Sequence, residues 1–162
     1  MAINQEALRP ILQQGVLFAI GTLAAERALV VYDGVGVAQG LDTATMWLAG
    51  EISTSLLETL LDEGDPMVMI DAAEDERTRD QTSAILSALR SVIYVPLRDA
   101  QGKVAGLLYA DHRRRAGAFD NEQLTIAKTY VEQTLRPQLF RVCPVGVKRD
   151  LNFQSLTETA WV

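Results

Sequence analysis

The sequence predicts an α+β fold, an antiparallel sheet with helices packed on it, and three observations carry that expectation. Apolar residues recur at spacings of three and four near both ends of the chain, over 5–19 and 120–139, the period of amphipathic helices. Between them lie two pairs of apolar runs, each pair joined by a short turn, which is the pattern of β-hairpins. No strand, helix and strand repeat runs along the chain, so a parallel sheet is not expected. A chain of 162 residues that is 48% hydrophobic suffices for one continuous core, and one domain follows.

The first helix rests on Leu8, Ile11, Leu12, Gly15, Val16 and Ala19, with Pro10 placed near its first turn, where a missing amide costs little. Ala28 to Tyr32 is apolar and β-branched. Asp33-Gly34 follows as a turn, and Val35 to Ala38 completes the first hairpin. Thr43 to Leu48 reads as a further short strand. Ser53 to Leu61 returns to the helical period through Leu56, Leu57, Leu60 and Leu61, with Ser53 or Thr54 as its cap and Gly64 as its stop. After Pro66, the uninterrupted run Met67 to Ile70 suits a buried strand that Asp71 closes. Glu74 to Gln81 is too charged to bury and leads into a short helical pattern at Ile85, Leu86 and Leu89.

The second hairpin is Ser91 to Leu97, a turn over Asp99 to Gly102, and Val104 to Ala110. The last helix starts at an Asp120 cap and carries the stripe Leu124, Ala127, Val131, Leu135 and Leu139. Beyond it, Pro144 and Gly146 break the helical period, while Leu151, Phe153, Leu156 and Trp161 remain apolar. The domain is therefore assigned to residues 1–140 and a docked tail to 141–162.

Charge narrows the partners. A formal net charge of −6 and a pI near 4.8 give a surface field that repels nucleic-acid backbones and anionic lipid, so neither nucleic acid nor membrane is expected. One cysteine, Cys143, and one histidine, His112, furnish neither an internal disulfide nor a structural zinc site, and no metal is expected. The polar start from Met1 to Arg9, and an apolar stretch from Val16 to Leu23 that is too short to span a bilayer, point to a cytoplasmic chain.

A more specific pattern runs through consecutive phrases: "STSLLETLLDEGDPMVMIDA", the polar "EDERTRDQTSAI", "LRSVIYVPLRDAQGKVAGLLYAD" and "FDNEQLTIAKTYVEQ". In order and spacing, Ser53 to Gln133 resembles the second half of a GAF domain, with Pro96-Leu97 at the corner typical of that family. Glu26 to Gly40 is similar to its first hairpin. The resemblance covers roughly residues 5–140. It implies a PAS-related antiparallel sheet of about six strands with helices on its faces, and a small-molecule pocket between the sheet and the loop over it. It further implies a homodimer formed through the terminal helices, or a signalling protein partner that receives the output.

Candidate ligand contacts follow from position. If residues 71–84 cover the pocket, Asp75, Arg77, Thr78 and Arg79 present charge and hydrogen bonds from the loop, while Tyr94 and Tyr109 line the floor and Asp111 stands at the strand end. Each has an ordinary reading as well: solvated or ion-paired charges in the loop, core tyrosines, and a turn-forming aspartate. The run Arg113 to Arg115 reads as a solvated positive cluster.

Catalysis is not expected. His112 lies between Asp111 and Arg113 at a strand end, in no Ser-His or Cys-His spacing. The GAF-like free-methionine sulfoxide reductases resolve an oxidised thiol with another thiol, and this chain has one. Covalent bilin attachment is not expected either, because Cys143 lies beyond the last helix without a neighbouring histidine. The "FDNE" at Phe119 to Glu122 is a helix start, not the spaced Asn-Lys-Phe-Asp-Glu signature of cyclic-nucleotide-binding relatives. Two functions remain: a non-catalytic sensor whose ligand shifts a dimer or partner interface, and a ligand-free dimerisation or interaction module whose pocket is filled by Met67, Met69, Ile93 and Tyr94.

Overall fold

The computed structural model describes residues 5–40, 62–69, 91–113, 117–143 and 157–158. The strand expected at 43–48, the helix at 53–61 and the loop and short helix at 71–89 lie outside these residues.

Helix α1, Gln5–Gly21, buries Leu8, Leu12, Val16 and Ala19 along the expected stripe. Pro10 stands inside this helix and not in its first turn. Its missing amide withholds the usual bond from the Glu6 carbonyl, and both residues are exposed, so the loss falls on the solvent side. The next two elements, β1 (Arg27–Tyr32) and β2 (Val35–Gln39), form the first hairpin, closed by the pair Tyr32↔Val35. Asp33 and Gly34 have φ of 52° and 80°, so both turn residues are left-handed, the mirror-image turn whose twist matches a hairpin. Asparagine, aspartate and glycine adopt that region most readily, which is why Asp-Gly marks the turn in the sequence.

Asp62 and Glu63 are helical and Gly64 follows with φ of 70°, a helix stop ahead of β3 (Met67–Met69). The second hairpin is β4 (Ser91–Arg98) and β5 (Val104–His112). Five strands thus form an antiparallel sheet in the order β3-β4-β5-β1-β2, and a two-residue strand, β6 (Thr157–Glu158), is added in parallel beside β2. The first strand of the chain therefore lies inside the sheet, between β5 and β2. Where β1 and β5 pair, Gly106 faces Tyr32 so closely that a β-carbon would sit 1.9 Å from the Val31 carbonyl oxygen. Only glycine fits there.

Helix α2, Asn121–Tyr130, starts as the sequence predicts: the Asp120 carboxylate accepts from the amides of Glu122 and Gln123, and the Gln123 side chain accepts from the Asp120 amide. It continues through a π-helical turn, Val131–Leu135, into α3, Arg136–Val142. Two features of the sequence favour the wide turn. Pro137 has no amide for the Gln133 carbonyl and its ring crowds that turn. The stripe also advances by fours from Ala127 to Leu139, about 40° of drift per step on a regular α-helix, and a wider turn keeps Ala127, Val131, Leu135 and Leu139 all buried.

One face of the sheet packs against these helices. Ala28, Val30, Tyr32, Val35, Val37, Ile93, Val95, Leu97, Leu108 and Ala110 join the helical stripes in a single core. Phe18 of α1 stacks on Tyr130 of α2 with ring centroids 4.0 Å apart.

Candidate functional site

The alternate residues of the strands project from the other face, which is buried as well but outside the helix-side core: Leu29, Ala38, Met67, Met69, Val92, Tyr94, Leu107 and Tyr109. Among them stand two charges. Arg27 begins β1 and Asp111 is the penultimate residue of β5, and the antiparallel register makes them direct partners. The Arg27 guanidinium donates through Nε to Oδ1 of Asp111 at 2.7 Å and through Nη2 to Oδ2 at 2.6 Å, a bidentate pair with 2% and 0% of the side chains exposed. The Tyr109 hydroxyl, two residues along the same face, donates to Oδ2 at 2.7 Å. Tyr94 is the cross-strand partner of Tyr109. The result is a buried, charge-neutral cluster of one guanidinium, one carboxylate and two phenols on an apolar face that carries two thioethers.

Burial pushes the Asp111 carboxyl above its ordinary range, against the pull of the Arg27 guanidinium and the Tyr109 hydroxyl. Burial, with the adjacent carboxylate second, pushes the Tyr109 hydroxyl well above its ordinary value. Tyr109 is thereby held as a donor. Asp111, expected to end its strand and turn the chain, instead lies within β5, which runs on to His112, because the guanidinium compensates its charge in the sheet. Arg27 is the residue that sequence reasoning missed. A lone charge at the head of an apolar strand, and one of opposite sign near the end of another, were visible, but the β1–β5 register that joins them was not.

Of the sequence candidates, Tyr94, Tyr109 and Asp111 come together on this face, while Asp75, Arg77, Thr78 and Arg79 lie outside the described residues. Arg113 reaches Glu26, its amide donating at 3.0 Å and its Nε lying 3.6 Å from the same carboxylate oxygen.

Ser91 and His112 are cross-strand partners, a juxtaposition that invites a catalytic reading. The Ser91 hydroxyl is committed to structure, donating to the Met69 carbonyl at 3.0 Å and accepting from the Phe119 amide at 3.1 Å. It pins β3 and the entry to α2 onto β4.

At the opposite end of the sheet, Tyr32 donates to the Cys143 carbonyl at 2.7 Å. Burial, the Asp33 carboxylate beside it and a hydrogen bond to that group push the Cys143 thiol up to about 11. This is the reverse of an activated cysteine. Among the described residues no group of three His, Cys, Asp or Glu side chains is placed to hold a metal ion, and no helix is long and apolar enough to cross a membrane.

The GAF domain model matches residues 7–134. Comparison with the curated proteins gives no match. Several solved structures share the fold. The GAF domain/HD domain protein from Geobacter sulfurreducens is similar with a TM-score of 0.56 and 14% identity, over 85% of this chain and 92% of that one. A type II free methionine-R-sulfoxide reductase from Thermoplasma acidophilum is similar with a TM-score of 0.60 and 18% identity, over 85% and 96%. A far-red cyanobacteriochrome photoreceptor is similar with a TM-score of 0.54 and 14% identity, over 87% and 88%. At these identities the likeness is one of fold, and the fold serves a photoreceptor and a reductase alike. GAF domains are in general regulatory sensor domains, and on the match over residues 7–134 this chain belongs to the GAF domain family.

Proposed function

We propose that this domain is a non-catalytic cytoplasmic sensor that takes a small molecule over the sheet face carrying Arg27, Tyr94, Tyr109 and Asp111, and relays occupancy through a dimer or partner interface of its terminal helices. The observation that carries this reading is the buried polar cluster itself. Packing alone does not call for a bidentate ion pair on a sheet face, since apolar residues of similar volume serve stability as well or better. A neutral cluster with its charges already paired favours a ligand recognised by hydrogen bonds and ring stacking over a strongly anionic one. Exposed Leu17 on α1 and Ile126 on α2 support an interface on the helical side. The absence of catalysis is supported by the single cysteine, which leaves no second thiol to resolve an oxidised one, and by the structural commitment of Ser91.

The ligand-free interaction module is the second reading, favoured by one observation: Met67, Met69, Tyr94 and Tyr109 are all no more than 7% exposed, so this face is already covered. Thermal unfolding of the purified protein against cyclic nucleotides, nucleobases, amino acids, 2-oxoacids and tetrapyrroles decides between them. The sensor reading expects one class to raise the midpoint, by about 2.7 kcal/mol of added stability at a hundredfold excess over Kd. It also expects the shift to shrink in Tyr109→Phe. No shift with any class favours the module, and a shift indifferent to Tyr109→Phe places the ligand away from this sheet face.

A further inference from the structure

The helix that runs from Asn121 through the π turn to Val142 is fastened to the two ends of the sheet by different residues. Where it begins, the Phe119 amide donates to the Ser91 hydroxyl, which donates to the Met69 carbonyl, so α2 starts where β3 ends and β4 begins. Where it ends, Arg136 reaches the turn of the second hairpin. Its Nε donates to the Arg98 carbonyl at 3.0 Å and its Nη2 to the Asp99 carbonyl at 3.3 Å. Tyr32, the last residue before the turn of the first hairpin, holds the Cys143 carbonyl. The second turn is also tied to the entry of β3, because Arg98 donates through Nη1 to the Gly102 carbonyl at 2.8 Å and through Nη2 to the Gly64 carbonyl at 2.6 Å.

Between the two fastenings the helix has lost a rung. The Arg136 amide bonds back to the Val131 carbonyl, across the wide turn, and Pro137 then offers no amide to any carbonyl. Helices bend at such prolines and wide turns. Glu132 and Gln133 are exposed, so water takes the place of the amide that Pro137 lacks. The Arg136–Glu132 ion pair spans the turn at 2.6 Å on its solvent side, where it restrains little.

We propose that Val131 to Pro137 is a hinge on which α3 moves with the turn end of the sheet while α2 stays with the end that carries Ser91, so that a displacement at the entry to β3 passes through Arg98 and Arg136 to the end of the last helix. A hinge needs two bodies held separately and a few residues between them that absorb the change. Both acceptors of Arg136 are backbone carbonyls, so α3 follows the turn itself. The inference deepens the sensor reading and rests on it only for what displaces β3. No ligand enters its test, whose outcome is therefore separate from that of the thermal screen.

Amide exchange of the full-length chain is read at residues 124–130 of α2 and 140–143 at the end of α3, in variants whose cooperative thermal unfolding shows that they fold. Arg136→Ala, or Arg136→Lys if the alanine variant does not fold, is expected to raise exchange at 140–143 by about tenfold and to leave 124–130 unchanged. Glu132→Gln, which removes the solvent-side pair alone, leaves both segments as in the parent. Arg98→Ala, which releases Gly64, raises exchange at 140–143 by about threefold. Adding Pro137→Ala to the Arg136 variant restores the rung, joins α3 to α2 and returns 140–143 to within about twofold of the parent relative to α2. Equal acceleration of both segments by the Arg136 variant, or none, overturns the hinge, as does exchange that Pro137→Ala fails to restore. A Glu132→Gln effect as large as that of Arg136→Ala overturns the fastening to the sheet. An effect of Arg98→Ala confined to residues 67–69 overturns the passage from β3 to the helix.

Discussion

Arg27 and Asp111 are 84 positions apart in sequence and in direct contact in the sheet, each buried and each compensated by the other. Removing either leaves a buried charge without its partner, so Arg27→Ala or Asp111→Ala is expected to destabilise the fold by about 3–5 kcal/mol. Replacing both together, Arg27→Met with Asp111→Leu, recovers most of that loss. Chemical denaturation of the single and double variants measures it, and a double variant that loses as much as the two single variants added together would show that the pair is not coupled. A second residue-scale expectation concerns pH. The Cys143 thiol loses its proton near 9.0 when unfolded and near 11 when folded, so the folded chain holds the extra proton between those values. Stability is therefore full below pH 9 and declines as the pH rises towards 11, with a contribution of about 1–3 kcal/mol from this group. Cys143→Ala should flatten that part of the pH profile, measured as the unfolding midpoint from pH 8 to 11. Tyr32, raised for the same reason of burial, adds a decline of the same sign in both proteins.

Elements were legible wherever local chemistry decided them. The Asp33-Gly34 turn, the Asp120 cap and the stripe of the last helix each follow from residue types at fixed offsets, and the structure has all three. The π turn was not legible, because stripe spacing and Pro137 become informative only once the helix is known to stay buried through Leu139. Gly106 was likewise unremarked, since its role arises from the close approach of β1, which lies far away in sequence. Gly106→Ala is accordingly expected to part β1 from β5 locally and to cost about 1–3 kcal/mol or more. Amide exchange at Val31 and Asp33, whose amides face β5, faster in the variant, reports whether the damage lies at that crossing.

At the scale of the molecule, fold class and family could be read from the order of phrases along the chain, and the match over residues 7–134 agrees. The site was half readable. Tyr94, Tyr109 and Asp111 could be chosen from their strands, but the ion pair that makes Asp111 tolerable could not, since strand order is a long-range property. That order has a further consequence, which concerns time. Because β1 lies between β2 and β5, its inner flank has no partner until residues 104–112 exist. On a ribosome adding about 5–20 residues per second, the stretch from Tyr32 to His112 takes about 4–16 s. Throughout that interval Leu29, Val30 and Val31 are paired on one side alone. The newborn chain must wait for its fifth strand with an apolar hairpin half finished, and a helper that shields nascent apolar segments would find its binding site there.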